Sequence, residues 1–402
     1  MIKEYICERW DQTVRVNKEE KDGNIGLPYP YTVPCISDAF QCMFYWDTFF
    51  TCKGLELTDR WELVKSNTDN ILYMVEKFGY MPNGTNVELL DRSQMPFLSL
   101  LVKDVYEHDQ DKNWLKNAYA TLIKEHQFWV EQRSTPIGLA QFGGTYNEEI
   151  VDSNYESFVI RVNKEEKDWS RECINKHYLA CAESGWDFNP RWEFQGYNYA
   201  QVELNSLLFQ MEENMAFFSQ ELGLNEMERW SSLAKKRQEK VNTYLWSEEH
   251  KLYYDYNFVT EQPSKVYSAA SLFPLFSGMA SKEQAQATVE KLHLIELEYG
   301  ITCCEKNDSG CVYQWDYPNG WPPLQLIAMV GLQNYGFHEQ ANRIAKKYVD
   351  LVERVFDATG CLWEKYNVLE GNVKVVNEYE MPPMIGWSAG VYLFAKDMVD
   401  NK

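Results

Sequence analysis

Tyr45-Trp46-Asp47, Gly185-Trp186-Asp187 and Gln314-Trp315-Asp316 each set a carboxylate beside an indole, and roughly a third of the chain separates one pair from the next. A ring of this kind packs on the face of a pyranose, while an adjacent carboxylate binds hydroxyls or moves protons, so the pairing suits chemistry on a sugar. Asp187 lies in Glu183-Ser184-Gly185-Trp186-Asp187-Phe188, followed by Arg191-Trp192. Small residues there let a substrate approach the backbone, and the aromatics desolvate a carboxyl so that it stays protonated, as a general acid must. The same residues also read as a helix-capping Asp in an aromatic core layer. The third pair opens the run Tyr313 to Pro323, in which Pro318-Asn319-Gly320 is a turn and Pro322-Pro323 a helix start. Its indoles fit either loop packing or a sugar platform.

A site drawing on all three pairs needs a large fold around one pocket. Apolar residues at 204, 207, 208, 211, 215, 218 and 222 give a helix over Val202 to Leu222 that stops at Gly223. Asn225 with Glu228 predicts a capping box for the next helix, antiparallel to the first. Trp61 to Phe78 ending at Gly79, Asn113 to Gln132, and 338–356 read the same way, with further helices near 96–107, 282–293, 323–334 and 387–398. About a dozen helices emerge, with short strands expected around 251–258 and 373–376. Their spacing is not a strict repeat, which favours a ring of helix pairs over a solenoid. The long irregular stretches 22–47 and about 135–165 are expected to be functional loops. Neither has the composition of a linker, so residues 1–402 are expected to form a single domain.

Composition narrows the partners. With 45% hydrophobic and 15% aromatic residues, the chain can build a large core, and its 14 Trp and 26 Tyr exceed what a core alone uses. A formal net charge of −21 opposes binding to nucleic acid or to an anionic membrane surface. No apolar run approaches the ~20 residues of a membrane span, and the charged start Met1 to Tyr5 is unlike a signal peptide. Ten Cys without a C-x-x-C read as reduced thiols, which gives the expectation of a cytoplasmic protein. Six His without ligand spacing predict no metal and no cofactor. The expected partner is a small carbohydrate; a monomer is compatible with these features, and the oligomeric state is left open.

The motifs carry a resemblance to the α,α-trehalases, inverting glycoside hydrolases on an all-α (α/α)6 toroid whose long loops form the active-site face. Gln314 to Trp321 is similar to the family's QWDxPNGW, and Ser184 to Phe188 with Arg191-Trp192 to its SGWDFSxRW. Pro82-Asn83-Gly84 followed by Arg92-Ser93-Gln94-Met95-Pro96 resembles PNG…RSQxP, and Leu27 to Tyr31 through Tyr45 to Phe50 tracks the N-terminal region. The match runs in order along nearly the whole chain. It implies that Asp187 is the general acid and Glu364, in Leu362 to Asn367, the general base, with carboxyls roughly 6.5–9.5 Å apart to admit a water. From its sequence alone, Glu364 reads as a solvated pair with Lys365. By the same resemblance Trp46, Asp47, Asn83, Arg92 and Gln94 bind the sugar under attack, Trp186, Trp315 and Trp321 help wall it, and Glu378-Tyr379 closes over the site.

Departures bear on the substrate. Ala39 stands where the family has an arginine, Gln141 to Glu148 replaces an Arg-Pro-Glu-Ser element, and Gly371 to Asn377 replaces a glycine-rich lid. Each lost arginine removes charge-assisted hydrogen bonds worth about 1.5–3 kcal/mol. Trehalose is the leading expected substrate. The alternative is another α-glucoside or α-mannoside, a disaccharide or one with a small aglycone such as glycerate. A sugar epimerase would need His near the Trp-Asp pairs, which the chain lacks; a sugar-binding protein without catalysis is the remaining alternative.

Overall fold

The computed structural model describes residues 1–145, 155–156, 159, 169–308 and 313–401. Helices of two kinds make up the fold. One kind is buried nearly all round: in Tyr45–Glu56 every residue from Tyr45 to Leu55 except Lys53 is buried, and Val202–Glu221 and Pro322–Asn334 resemble it. The other kind is amphipathic. Met227–Tyr244 buries only Trp230, Ala234, Arg237 and Val241, a single stripe at helical spacing.

The two kinds sort into two layers. Tyr45–Glu56, Leu98–Asp109, Val202–Glu221, Phe273–Phe276, Pro322–Asn334 and Gly386–Asp400 pack each on the next, and the last packs back on the first. Outside them, Trp61–Phe78, Met227–Tyr244 and His338–Thr359 lay their apolar stripes on this inner layer. A helix covered on both sides has no solvent face, which is why Tyr45–Glu56 and Pro322–Asn334 show no apolar stripe set against a polar one. The result is the expected (α/α)6 toroid. Its seam lies between Tyr45–Glu56 and Gly386–Asp400, where a Cβ on Gly390 would stand 1.9 Å from the Phe50 carbonyl oxygen and one on Gly54 2.7 Å from the Gly390 Cα. Only glycine permits backbones this close.

Helix ends follow the expected signals in part. Trp61–Phe78 stops at Gly79, whose φ of 82° returns its N–H to the Val75 carbonyl. His338–Thr359 runs to Gly360, beyond the expected end. The capping box at Asn225 and Glu228 does not form: that helix starts at Met227 with no side-chain cap, and the Ser219 hydroxyl accepts the Glu226 N–H instead. The expected strand at 373–376 is also absent; a two-residue ladder pairs Asn319-Gly320 with Tyr366-Asn367. Tyr45–Glu56 and Arg171–Ser184 have no counterpart among the expected helices. The first lacks an amphipathic period because it is buried, and the second buries Asn175, His177, Glu183 and Ser184.

Candidate active site

Loops at one end of the inner layer line a cavity of about 310 Å³. Arg171–Ser184 delivers Asp187 to it. Gly185 ends that helix at φ 73° and faces Trp46, whose ring atoms lie 3.1–3.3 Å from where a Cβ would be. The chain beyond is clamped from the 313–321 loop: Gln314 Nε2 donates to the Asp187 carbonyl at 2.6 Å, and the Trp315 N–H to the Phe188 carbonyl at 3.0 Å. Behind Asp187 the Arg191 guanidinium is fully buried. It lies over the Trp186 and Trp192 rings and pairs with Glu203 at 2.6 and 3.0 Å and with Asp255 at 3.2 Å.

Glu364 comes from the opposite side of the sequence. The ladder from Asn319-Gly320 to Tyr366-Asn367 ties its segment to the tryptophan loop, and Trp387 Nε1 donates to its carbonyl at 3.1 Å. Its carboxylate is buried with both oxygens held: Lys365 Nζ lies 2.7 Å from Oε2, and the Tyr379 hydroxyl donates to Oε1 at 2.6 Å. Burial pushes the Glu364 carboxyl up and the Asp187 charge adds to this, while Lys365 and Tyr379 pull it back. The pair with Lys365 expected from sequence therefore exists, but it is buried rather than solvated.

Asp47, in the first turn of Tyr45–Glu56, is pushed up to about 8, chiefly by burial, with a further push from Glu364 and an opposing hydrogen bond from its own backbone. The Trp46 backbone N–H donates to Gln94 Oε1 at 3.1 Å. Asn83 is set by two backbone bonds, its N–H to the Arg92 carbonyl at 2.8 Å and its carbonyl from the Tyr45 N–H at 3.1 Å. Arg92 donates to Asp91 at 2.5 Å, and its buried Nε has no protein partner among the described residues. The Arg92–Gln94 strip is held from below by Glu183, which accepts from the Ser93 N–H and, through both oxygens, from Arg133 at 2.8 Å each. Trp315 and Trp321 stack at 3.8 Å with planes 3° apart, and Trp46, Trp186 and Trp387 surround them.

Ten of the residues singled out in the sequence line this one cavity: Trp46, Asp47, Asn83, Arg92, Gln94, Asp187, Trp315, Trp321, Glu364 and Tyr379. Two do not. Trp186 is fully buried behind Trp315, and Glu378 is exposed and accepts from the Phe188 N–H at 3.3 Å. Asp316 lies to one side, where its Oδ1 accepts from Tyr317 N–H, Asn307 and Cys304. Sequence reasoning missed Phe40, Phe44, Leu89 and Met384, which also line the cavity; Leu89 ends the short 3-10 helix Val87–Leu89 and the others lie on irregular segments without a periodic signal. It also passed over Gln314 and Trp387, although Gln314 directly precedes the third Trp-Asp pair. Ala39 is half-buried and is not among the lining residues; its neighbour Phe40 is. Of the segment Gln141 to Glu148, residues 146–148 lie outside the described part.

Against known proteins, a sequence model of the family described as Trehalase matches residues 2–399. Periplasmic trehalase of Escherichia coli O1:K1 / APEC is 32% identical over 428 aligned positions, which span 100% of this chain and 74% of that protein. A putative periplasmic trehalase of Escherichia coli O157:H7 is likewise 32% identical, over 100% of this chain and 75% of its own length. Among solved structures, neutral trehalase from Saccharomyces cerevisiae superposes with a TM-score of 0.80 at 25% identity, covering 98% of this chain and 79% of its own. A GH63 mannosylglycerate hydrolase from Thermus thermophilus shares the fold, with a TM-score of 0.68 at 18% identity over 98% of this chain and 100% of its own. The expected cytoplasmic location is overturned by the periplasmic relatives. It rested partly on reading the cysteines as reduced thiols. Six of the nine described ones are buried in the fold, and burial shields a thiol from oxidation in any compartment.

Proposed function

The chain belongs to the trehalase family of glycoside hydrolases, and from that premise we propose that residues 1–402 act as one catalytic domain hydrolysing α,α-trehalose with inversion. Asp187 is the general acid and Glu364 the general base. Glu364 takes a proton from a water whose oxygen bonds to the anomeric carbon. On the opposite face the bond to the glycosidic oxygen breaks, and that oxygen takes the Asp187 proton. One glucose leaves as the β anomer and the other as α, and solvent returns the proton from Glu364 to Asp187.

The observation that carries this reading is the meeting of Asp187 and Glu364 at one tryptophan-lined cavity, although the two residues come from distant parts of the chain. Burial pushes the Asp47 carboxyl up to about 8, which favours a protonated group that donates as well as accepts hydrogen bonds to hydroxyls, beside Asn83, Arg92 and Gln94. Trp315 and Trp321 offer ring faces to the pyranose. The relatives' compartment supports placing the enzyme in the periplasm.

A second reading concerns the leaving group. Phe40, Phe44, Leu89 and Met384 give part of the cavity an apolar wall, which favours an aglycone with an apolar face over one held by charged hydrogen bonds. A panel of α-glucosides and α-mannosides that includes trehalose, with NMR detection of the anomer first released, tests both readings. Release of β-glucose from trehalose is expected. Retention of the α configuration overturns the mechanism, and turnover of aryl or alkyl α-glucosides in preference to trehalose overturns the substrate.

A further inference from the structure

Glu364 has two partners of different character. Tyr379 lies on a segment without helix or strand and is 38% exposed, so its hydroxyl can yield when water or sugar arrives. Lys365 cannot yield in this way. Its side chain is fully buried, its Nζ sits 2.7 Å from Glu364 Oε2, and the same ammonium lies over the Trp321 ring at 4.6 Å and the Tyr379 ring at 5.0 Å. Trp321 is itself fixed by its stack on Trp315 and by its indole N–H donating to the Gln314 carbonyl at 3.2 Å. The ammonium therefore stands against the fixed Trp321 ring with one anionic partner among the described residues.

We propose that Lys365 is the positioning residue of the base: it holds Oε2 of Glu364 in place and keeps the carboxylate ionised, which leaves Oε1 to meet the water. The assignment rests on Glu364 being the base. The groups bearing on Glu364 are of both signs. Asp187 acts against its ionisation, Asp47 and the Cys35 thiol face it and are themselves raised by its charge, and Arg92 shares the cavity. Lys365 and Tyr379 favour its ionisation, with Lys365 the larger influence. A carboxylate beside a like charge, out of water and without its cation, takes up a proton and loses its function as a base.

The test compares Lys365→Met, Lys365→Gln and Lys365→Arg with wild type in the pH dependence of kcat/KM on trehalose, or on the best substrate of the panel, with folding checked by near-UV circular dichroism. Removing the cation raises the Glu364 pKa, so the acid limb, along which activity falls as the base is protonated, moves to higher pH by about 1–3 units. In Lys365→Met kcat falls while KM stays close to wild type, and Lys365→Arg returns the limb toward its original position. Lys365→Gln keeps a buried donor and is read in the same way if the Met variant does not fold. A folded neutral variant whose acid limb stays where it is in wild type, with a uniform loss at every pH, overturns the proposal. Full activity in Glu364→Gln would instead overturn the base assignment itself, so the two failures are told apart.

Discussion

The Tyr379 hydroxyl donates to Glu364 Oε1 at 2.6 Å while its ring meets Phe40 edge-on at 5.8 Å. One exposed side chain thus joins a buried carboxylate to the outer wall of the cavity. The bond favours the ionised form of Glu364, and it is made from the part of the site least constrained by regular structure.

Tyr379→Phe keeps the ring contact and removes the bond. Glu364 then ionises at higher pH, so the acid limb of kcat/KM shifts up, by less than in a variant without the Lys365 charge. Because the donor is partly exposed, the expected loss is at the lower end of a charged hydrogen bond, roughly tenfold in kcat/KM at neutral pH. Steady-state kinetics across pH checks both the direction and the order of the two effects.

Glu125 gives a stability prediction away from the chemistry. It is buried, accepts from the Tyr45 hydroxyl, and has one oxygen without a partner among the described residues. Burial raises its carboxyl to about 8. The folded state therefore holds a proton that the unfolded chain releases above its usual value of about 4.3. The stabilisation is complete below that value and is lost as pH rises toward 8. Glu125→Gln removes this loss, so its Tm relative to wild type rises between pH 5 and 8. A flat difference across that range would contradict the assignment.

Arg191 is the cation of a buried cluster. Arg191→Met leaves Glu203 and Asp255 without it, and breaking such a pair from one side costs about 3–5 kcal/mol. Denaturant unfolding should show a loss of this size. Trp186 loses the guanidinium that packs on its ring, so sugar affinity should fall with stability.

Gly185→Ala acts on geometry alone. The residue has φ 73° and Trp46 in contact, so a methyl group strains the backbone by about 1–2 kcal/mol and pushes on the indole. Activity is expected to fall further than the modest drop in Tm, read by thermal unfolding beside kinetics on the same preparation.

How much of this was legible in the sequence depends on what each residue's neighbours are. The outer helices could be read because one face meets solvent: the stripe in His338–Thr359 is visible in its spacing. Tyr45–Glu56 could not, since a helix buried on every side has no period to find, which is why Trp46 and Asp47 read as the end of a loop. At the site, indoles beside carboxylates marked Asp47 and Asp187 by composition. Glu364 follows Trp363 but lies outside the Trp-Asp pattern, and its partners Tyr379 and Trp387 and its ladder to Asn319-Gly320 exist only in three dimensions. Resemblance to a family supplied what local pattern did not. Phe40, Phe44, Leu89 and Met384 escaped both, as apolar residues on irregular segments or a single 3-10 turn too short to show a period.

The glycine seam between Gly390 and Phe50 has a consequence for the life of the chain. The first inner helix has no neighbour on that side until Gly386–Asp400 is made, so synthesis must run past Gly390 before the ring can shut. Asp47 waits near the start, Glu364 near the end, and Trp387, which anchors the Glu364 carbonyl, belongs to the closing helix itself. A nascent chain that stops short of the closing helix cannot bring the residues lining the cavity together.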